Sequence, residues 1–345
     1  MSQPLPRPNP FHPDNQPIVY SAYEMCLDLE SRHDQVAKIQ EVRLPSLICA
    51  RLLGYMIREA PTAEGRNDFA REVKRCQLDP NIDMPFYLRQ QRTDAALLDL
   101  AQLYNDHLLR VFHSKNSRTP TPKSHHSPPS FDAQNDVLNT SLVKTPIKDK
   151  AKENALHRDG YRCVITRRLD FASYKEKRVV SHPGDKVTVT EVAHIFARST
   201  NEDLKHTQQL RAIEELNGPR IHRLENLLTL DVALHRFFDS LDLWFERSEN
   251  DRINEYRMGG TDPIILLGLP PVVVFTTPDE YEFPVPDARY LALHAACARI
   301  AYLSGTGEYT AKILRDIETV GVLSEDGSSD VLYHALVRGV NVEVY

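Results

Sequence analysis

The stretch VTVTEVAHIFARST at residues 187–200, followed by LENLLTLDVALHRFFDSLDLWFE at residues 224–246, decides the fold of this chain. The first stretch is rich in β-branched residues, which predicts a strand that carries His194 near its end. Asn226 follows on a turn or short strand, and helical spacing of apolar residues then predicts a helix that carries His235. A histidine at a strand end, an asparagine on a loop and a histidine on the next helix indicate a hydrolytic metal site.

The order of these three residues resembles that of the HNH endonucleases, whose site is a ββα-metal finger. The surrounding sequence is similar to one branch of that family, the HNH domain found in uncharacterised fungal proteins. The similarity lies in four blocks, RCVIT at 162–166, AHI at 193–195, LEN at 224–226 and LHRFFD at 234–239. Blocks in the right order are a more specific signal than three spaced residues. The resemblance covers roughly residues 154–246 and implies a metal-dependent endonuclease.

The resemblance implies that His194 is the general base that activates water. A neutral imidazole suits this role because its pKa lies near working pH. Asn226 takes the family position that braces the loop of the finger and orients the base. The residues alone leave alternatives open, since His194 could be a satisfied core histidine and Asn226 an ordinary turn residue that caps a backbone group.

His235 takes the family position of a metal ligand. Asp239 lies four residues later and so on the same helix face, where the two could hold one divalent cation, Mg, Mn or Zn. A helix-surface ion pair of little energetic weight is the alternative. The sequence departs from the family at Ala193, where many members carry Asp or His as another ligand. Glu191 shares that strand face, but it starts about 6.6 Å away and reaches a metal only if the strand bends or bulges.

Composition limits the remaining possibilities. The chain has 345 residues and a formal net charge of -6, so any attraction to nucleic acid must come from a local patch. Its five cysteines form no CxxC pair, which is typical of reduced intracellular thiols rather than of a zinc ribbon. We expect no secretory signal and no membrane-spanning segment, and therefore an intracellular protein, nuclear or cytoplasmic.

The expected fold class is α+β, with five segments. Proline density predicts a disordered tail over residues 1–17, and helical spacing predicts a helical N-terminal region over 18–113. A Ser-, Pro- and Lys-rich stretch predicts a disordered basic linker over 114–147. An HNH nuclease-like domain over 148–250 and a C-terminal α+β extension over 251–345 complete the chain.

Local patterns predict individual elements within these segments. Helices are expected near residues 44–57, 93–112, 152–160, 204–216, 286–304, 310–320 and 331–338. Strands are expected at 161–166, at 179–180 and 187–195 on either side of a Pro-Gly turn, and at 263–269 and 271–277. The order of these strands and helices gives the predicted finger between residues 161 and 246.

Charge is unevenly distributed along the chain. Residues 113–178 contain 14 Lys and Arg and 7 Asp and Glu, an excess of 14 − 7 = +7. A basic segment leading into a nuclease domain suits contact with nucleic-acid phosphates, and DNA is the expected substrate. Solubility alone can also account for a lysine-rich linker. The alternative to an active nuclease is a catalytically weak or inactive HNH scaffold that serves as a regulatory, nucleic-acid-binding or protein-interaction module.

Overall fold

The computed structural model describes residues 2–36, 44–79, 81–109, 146–196, 215–216, 218–248 and 252–319. The chain forms two compact units, one made of Met1–Asp106 with Ala296–Tyr345 and the other of His107–Ala295. The α+β fold class expected from the sequence is confirmed. Of the described helices, none is long and apolar enough to cross a membrane.

The first unit is helical. Its helices are α1 (Pro17–Ser31), α2 (His33–Val36), α3 (Ser46–Glu59), α4 (Ala63–Arg75) and α5 (Phe86–Tyr104), followed by a π-helical turn (Asn105–Leu109). Helix α1 packs against α3 and α4, and α3 packs against α5. The large side chains Tyr23, Tyr55 and Leu97 are almost completely buried between them. The predicted helix near 44–57 is therefore confirmed, and the helix expected from about residue 93 begins earlier, directly after Pro85.

The N-terminal residues 2–16 contain no helix or strand, yet they pack onto this unit. Leu5 is 2% exposed, and its backbone N–H donates to Glu30 Oε1 at 3.1 Å. The Tyr55 hydroxyl donates to the Pro4 carbonyl at 2.9 Å. The expectation of a disordered tail is wrong, because prolines lack a donor but keep a carbonyl that buried side chains can bind.

The second unit holds the strands in three small sheets. A parallel pair joins β1 (Leu169–Asp170) to β2 (Val187–Thr188), and an antiparallel pair joins β3 (Thr190–His194) to β4 (Leu227–Asp231). The third sheet is antiparallel and has the order β5 (Leu243–Arg247), β6 (Glu255–Gly260) and β7 (Val272–Val274). The helices α6 (Pro146–Arg158), α7 (Phe171–Lys175) and α8 (Val232–Asp239) lie in this unit. Helix α9 (Ala288–Ser304) begins in it and continues past its end at Ala295, and α10 (Thr306–Thr319) belongs to the first unit.

Several predicted strands are absent from the described structure. Residues 161–166 form a turn rather than a strand, in which Cys163 N–H donates to the Arg168 carbonyl and Arg167 N–H donates to the Cys163 carbonyl. Residues 179–180 are also irregular, so the Pro-Gly turn joins no hairpin, and β2 pairs in parallel with β1 instead. The segment 263–269 begins with a 3₁₀ turn because the Asp262 side chain caps Ile264 N–H at 2.9 Å.

Domain boundaries also differ from the expectation. The predicted boundary at residue 250 falls between β5 and β6, which are paired, so it cuts a sheet. The predicted extension 251–345 is itself divided, since residues up to Ala295 belong to the second unit and later ones to the first. The predicted linker up to residue 145, the predicted helix over 204–216 up to residue 214, and the predicted helix over 331–338 lie outside the described residues, and helix α6 begins at Pro146.

Candidate active site

The candidate site is built on the β3–β4 hairpin and helix α8, which follows β4 without a gap. In the ladder Glu191 lies opposite Leu230, and His194 lies opposite Leu227. Successive side chains of a strand point to opposite faces. Glu191 and Ala193 therefore share one face of β3, and His194 lies on the other.

Helix α8 is fixed at both ends. The Asp231 carboxylate caps its N-terminus by accepting from Ala233 N–H at 3.0 Å. Phe238, almost completely buried, stacks on His294 with ring centroids 3.8 Å apart and planes 8° apart. Burial lowers the pKa of His294 to about 3, so that this ring stays neutral beneath the helix. The exposed side of α8 is thereby held in a defined orientation.

His235 on α8 lies between two carboxylates. Its Nδ1 is 2.7 Å from Glu191 Oε2 on strand β3, and its Nε2 is 3.2 Å from Asp239 Oδ2 one turn along the helix. The imidazole is 18% exposed, whereas Glu191 and Asp239 are 52% and 49% exposed. His235 and Asp239, predicted as metal ligands with a surface ion pair as the alternative, are thus joined by Glu191, which connects strand β3 to helix α8.

These carboxylates determine the charge of His235. Burial lowers its pKa, but the hydrogen bonds and charges of Asp239 and Glu191 outweigh burial, and the pKa lies above its ordinary value. A metal ion that binds this ring must displace a proton, because the ligand is the neutral imidazole. A metal ion at His235 would therefore compete with protonation of the ring.

The geometry limits which of the three could hold one ion. The two ring nitrogens point in different directions, so Glu191 at Nδ1 and Asp239 at Nε2 cannot flank a single ion bound to one nitrogen. Among the described residues, no group of three or more His, Cys, Asp and Glu is arranged to hold a metal ion. The pair His235 Nε2 and Asp239 fits, because ligands at about 2.0–2.2 Å from one ion can lie 3.2 Å apart. The expected joint ligation by Glu191 does not fit this arrangement.

His194 has a different neighbour. Its Nε2 lies 3.0 Å from Nδ1 of His222, at the end of the 3₁₀ turn Gly218–His222, and the rings meet edge to face. Sequence reasoning missed His222 because it lies at the end of residues 198–223, a polar insertion between the His194 strand and Asn226, and belongs to none of the blocks that resemble the family. The predicted site residues therefore form two groups, with Glu191, His235 and Asp239 in one and His194 in the other.

Asn226 is completely buried next to the segment that follows His194. Its side-chain oxygen accepts from Phe196 N–H at 2.9 Å, and its amide donates to the carbonyls of Phe196 and Ile221 at 3.0 and 2.9 Å. Its backbone carbonyl accepts from Ile195 N–H at 2.9 Å. Asn226 thus has a bracing position, and its hydrogen bonds among the described residues go to the backbone around His194 and His222 rather than to the His235 cluster.

Comparison with known families finds a match for part of the chain. Residues 163–246 match the family model of the HNH endonucleases. The match begins at the Cys163 turn and ends in β5, so it contains both histidine groups and Asn226. No curated protein matches the chain, and no solved structure matches it.

Within this HNH segment, Ala193 is fully buried on the strand face that it shares with Glu191. Its methyl group offers no ligand where many family members carry one. Glu191 instead binds the His235 ring directly, so the strand needs no bulge to bring this carboxylate to helix α8. Among the described residues of this segment, His235 and Asp239 are then the pair that could hold one ion.

The basic character of the chain around the HNH segment is partly neutralised by ion pairs. Arg158 is buried against Asp159, with 2.7 Å between Nε and Oδ1. Arg162 forms a two-bond pair with Asp185, at 2.8 and 2.7 Å. Arg178 pairs with two glutamates, Glu153 and Glu176. Of these acidic partners only Asp185 lies outside residues 113–178, so the other three are already subtracted in the +7 excess.

Proposed function

We propose that the HNH segment is a metal-dependent endonuclease that hydrolyses phosphodiester bonds. The observation that carries this proposal is the chain of contacts from Glu191 through His235 to Asp239, built on the strand that ends at His194. A candidate ligand pair thus lies beside one face of strand β3, and the candidate base ends the same strand on its other face. The family match to residues 163–246 supports the same reaction class.

His194 acts as the general base in this proposal. It removes a proton from water, and the resulting oxygen nucleophile attacks phosphorus while the bond to the leaving oxygen breaks. Asn226 contributes by holding Ile195 and Phe196, the two residues that follow the base. General-base catalysis of this kind contributes about 10²–10⁴-fold.

His235 and Asp239 would hold the divalent ion, Mg, Mn or Zn. Such an ion stabilises charge on the phosphate and the leaving oxygen. Glu191 orients the His235 ring by accepting from Nδ1–H, as carboxylates commonly do for histidines that ligate metals. Glu191 is therefore assigned a positioning role rather than that of a third ligand.

Nucleic acid is the proposed substrate, with DNA favoured, and an intracellular location, nuclear or cytoplasmic, is proposed with it. The location is supported by the cysteines, since all five are free and four of them are buried. Arg236 extends an exposed side chain beside His235 and is available for a phosphate. Arg198, the other arginine near the site in sequence, lies outside the described residues.

Metal-titrated nicking of supercoiled plasmid tests the proposal. Chelator-treated wild type should nick only after Mg, Mn or Zn is added, and His235→Ala should need more metal for the same rate. His182→Ala provides a matched control, because His182 is an exposed histidine in the same unit and outside the proposed site. Equal metal dependence of His235→Ala and His182→Ala would refute the ligand assignment.

A catalytically weak or inactive scaffold is the second candidate, and Ala193 favours it. A fully buried methyl group occupies the position where many HNH members have a ligand. In this case the contacts of His235 with Glu191 and Asp239 would serve only to join β3 to α8. Wild type that fails to nick DNA or RNA with every metal, while binding DNA in a salt-dependent way, would support this alternative.

A further inference from the structure

We propose that an exposed surface at helix α7 holds an unpaired strand of the nucleic-acid substrate. This α7 surface consists of Phe171, Tyr174, Lys175 and Lys177, of which the first three lie on the helix and the last lies two residues after it. The inference rests on the proposed function and deepens it, because it names the form of nucleic acid that the second unit binds. None of the four residues belongs to the candidate active site.

The two aromatic rings share one side of the helix with a lysine. Phe171, Tyr174 and Lys175 have the spacing i, i+3 and i+4, which places side chains next to one another on a helix surface. Phe171 is 50% exposed and Tyr174 is 46% exposed, whereas Ser173 on the other side of the helix is buried. Among the described residues, neither ring packs against another aromatic ring. Exposed rings of this kind are the platforms on which unpaired bases stack.

The charges around these rings favour a polyanion. Lys175 and Lys177 are exposed, and neither forms an ion pair within the part of the chain that the structure describes. The acidic residue between them, Glu176, pairs with Arg178 at 2.7 Å. Rings for bases beside two available cations for phosphates are the combination that single-stranded nucleic acid requires. This charge complementarity favours a nucleic-acid strand as the occupant over an apolar protein surface, which would leave both lysines without a partner.

Helix α7 is held rigidly beside the strand that carries the candidate base. The Asp170 carboxylate accepts from Ser173 N–H and its hydroxyl at 2.8 and 2.7 Å, and from Thr190 N–H and its hydroxyl at 3.2 and 2.8 Å. Thr190 begins strand β3, and His194 ends it. The strand rises about 13 Å between these two residues, which corresponds to roughly four nucleotides of a stacked strand. A strand bound at the α7 surface can therefore extend to the candidate base.

Anisotropy of a labelled oligothymidylate of about 12 nucleotides tests the rings, with full-length protein in chelator so that nothing is cleaved. Phe171→Ala should weaken binding about 5–150-fold, the loss of stacking on one ring. Phe171→Leu keeps an apolar side chain of similar size but no ring, and it should show the same loss. Phe171→Tyr keeps a ring and should bind like wild type. Tyr281→Ala is the matched control, because Tyr281 is fully exposed elsewhere in the same unit, and it should also bind like wild type.

The salt dependence of the same binding tests the lysines. Lys175→Ala and Lys177→Ala should each reduce the slope of log affinity against log salt by about 0.7, the value for one phosphate of a single strand. Phe171→Leu should leave this slope unchanged, and so should Lys312→Ala, which removes an exposed lysine of the first unit. Wild-type slopes in both lysine variants of the α7 surface, or wild-type affinity in Phe171→Leu, would overturn the proposal.

A duplex probe and the nicking assay separate this inference from the proposed function. The same strand annealed to its complement should bind equally to wild type and Phe171→Leu, because paired bases stay stacked on each other. Equal losses for the single strand and the duplex would overturn the assignment to an unpaired strand. Nicking by wild type together with unchanged single-strand binding in the variants overturns the α7 surface and leaves the nuclease proposal. The expected binding losses without nicking by any metal refute the nuclease and support the α7 surface as a nucleic-acid contact.

Discussion

Replacing Asn226 by alanine removes three side-chain hydrogen bonds from a completely buried position. Each bond contributes about 0.5–1.5 kcal/mol, and the groups left at Phe196 and Ile221 would be buried without their partner. We therefore expect a loss of about 3–4.5 kcal/mol in the free energy of unfolding of the second unit, towards the upper end of the summed contributions. The loss arises because one side chain joins the segments on either side of the insertion.

Urea unfolding followed by tryptophan fluorescence measures this loss. Trp244 is the only tryptophan, and it lies on β5 in the second unit, so its emission reports that unit. With a slope of about 2 kcal/mol per M, the midpoint should fall by roughly 1.5–2 M. Asn81→Ala, at an exposed position of the first unit, should leave this transition unchanged. A loss below about 1 kcal/mol in Asn226→Ala would contradict the bracing role, since even one lost bond costs that much.

Three further predictions concern stability. Arg158→Ala should destabilise the second unit by about 3–5 kcal/mol in the same urea assay, because it leaves the Asp159 carboxylate buried without its partner. Burial raises the pKa of Asp170, but hydrogen bonds from Ser173 and Thr190 outweigh it and the folded pKa is lowered. The ionised Asp170 therefore adds to the free energy of unfolding above its unfolded pKa of about 3.9. This stabilisation is lost as pH falls through the lowered pKa of Asp170 in the folded protein. The stability difference between wild type and Asp170→Asn should accordingly narrow below about pH 4 in acid titrations, and a constant difference would contradict this. In chelator, Ala193→Asp should have a lower melting temperature than wild type, because it buries a carboxylate. Added Mn should restore part of this melting temperature. An equal Mn effect on the melting temperature of wild type would argue against a metal-ligand position at residue 193.

Sequence reasoning predicted the finger well where the pattern is local. The β-branched run predicted strand β3, and apolar residues at helical spacing predicted helix α8. His235 and Asp239 are in contact because a spacing of four residues determines their shared helix face. These elements needed no knowledge of the rest of the chain.

Contacts between residues that are far apart in the sequence could not be predicted from local sequence patterns. The contact of Glu191 with His235 depends on how α8 packs on β3, and the strand rise alone suggested that this carboxylate would fall short. His222 reaches His194 only because Asn226 holds the end of an insertion in place. The parallel pairing of β1 with β2 likewise replaces the hairpin that the Pro-Gly turn predicted.

The central claim is that His194 is the base of a metal-dependent nuclease, and single-turnover cleavage of a DNA duplex at saturating metal tests it most directly. Wild type should cleave, and His194→Ala should cleave about 10²–10⁴-fold more slowly while its urea unfolding shows the second unit still folded. Cleavage by His194→Ala at the wild-type rate, or no cleavage by wild type with Mg, Mn or Zn, would contradict the account.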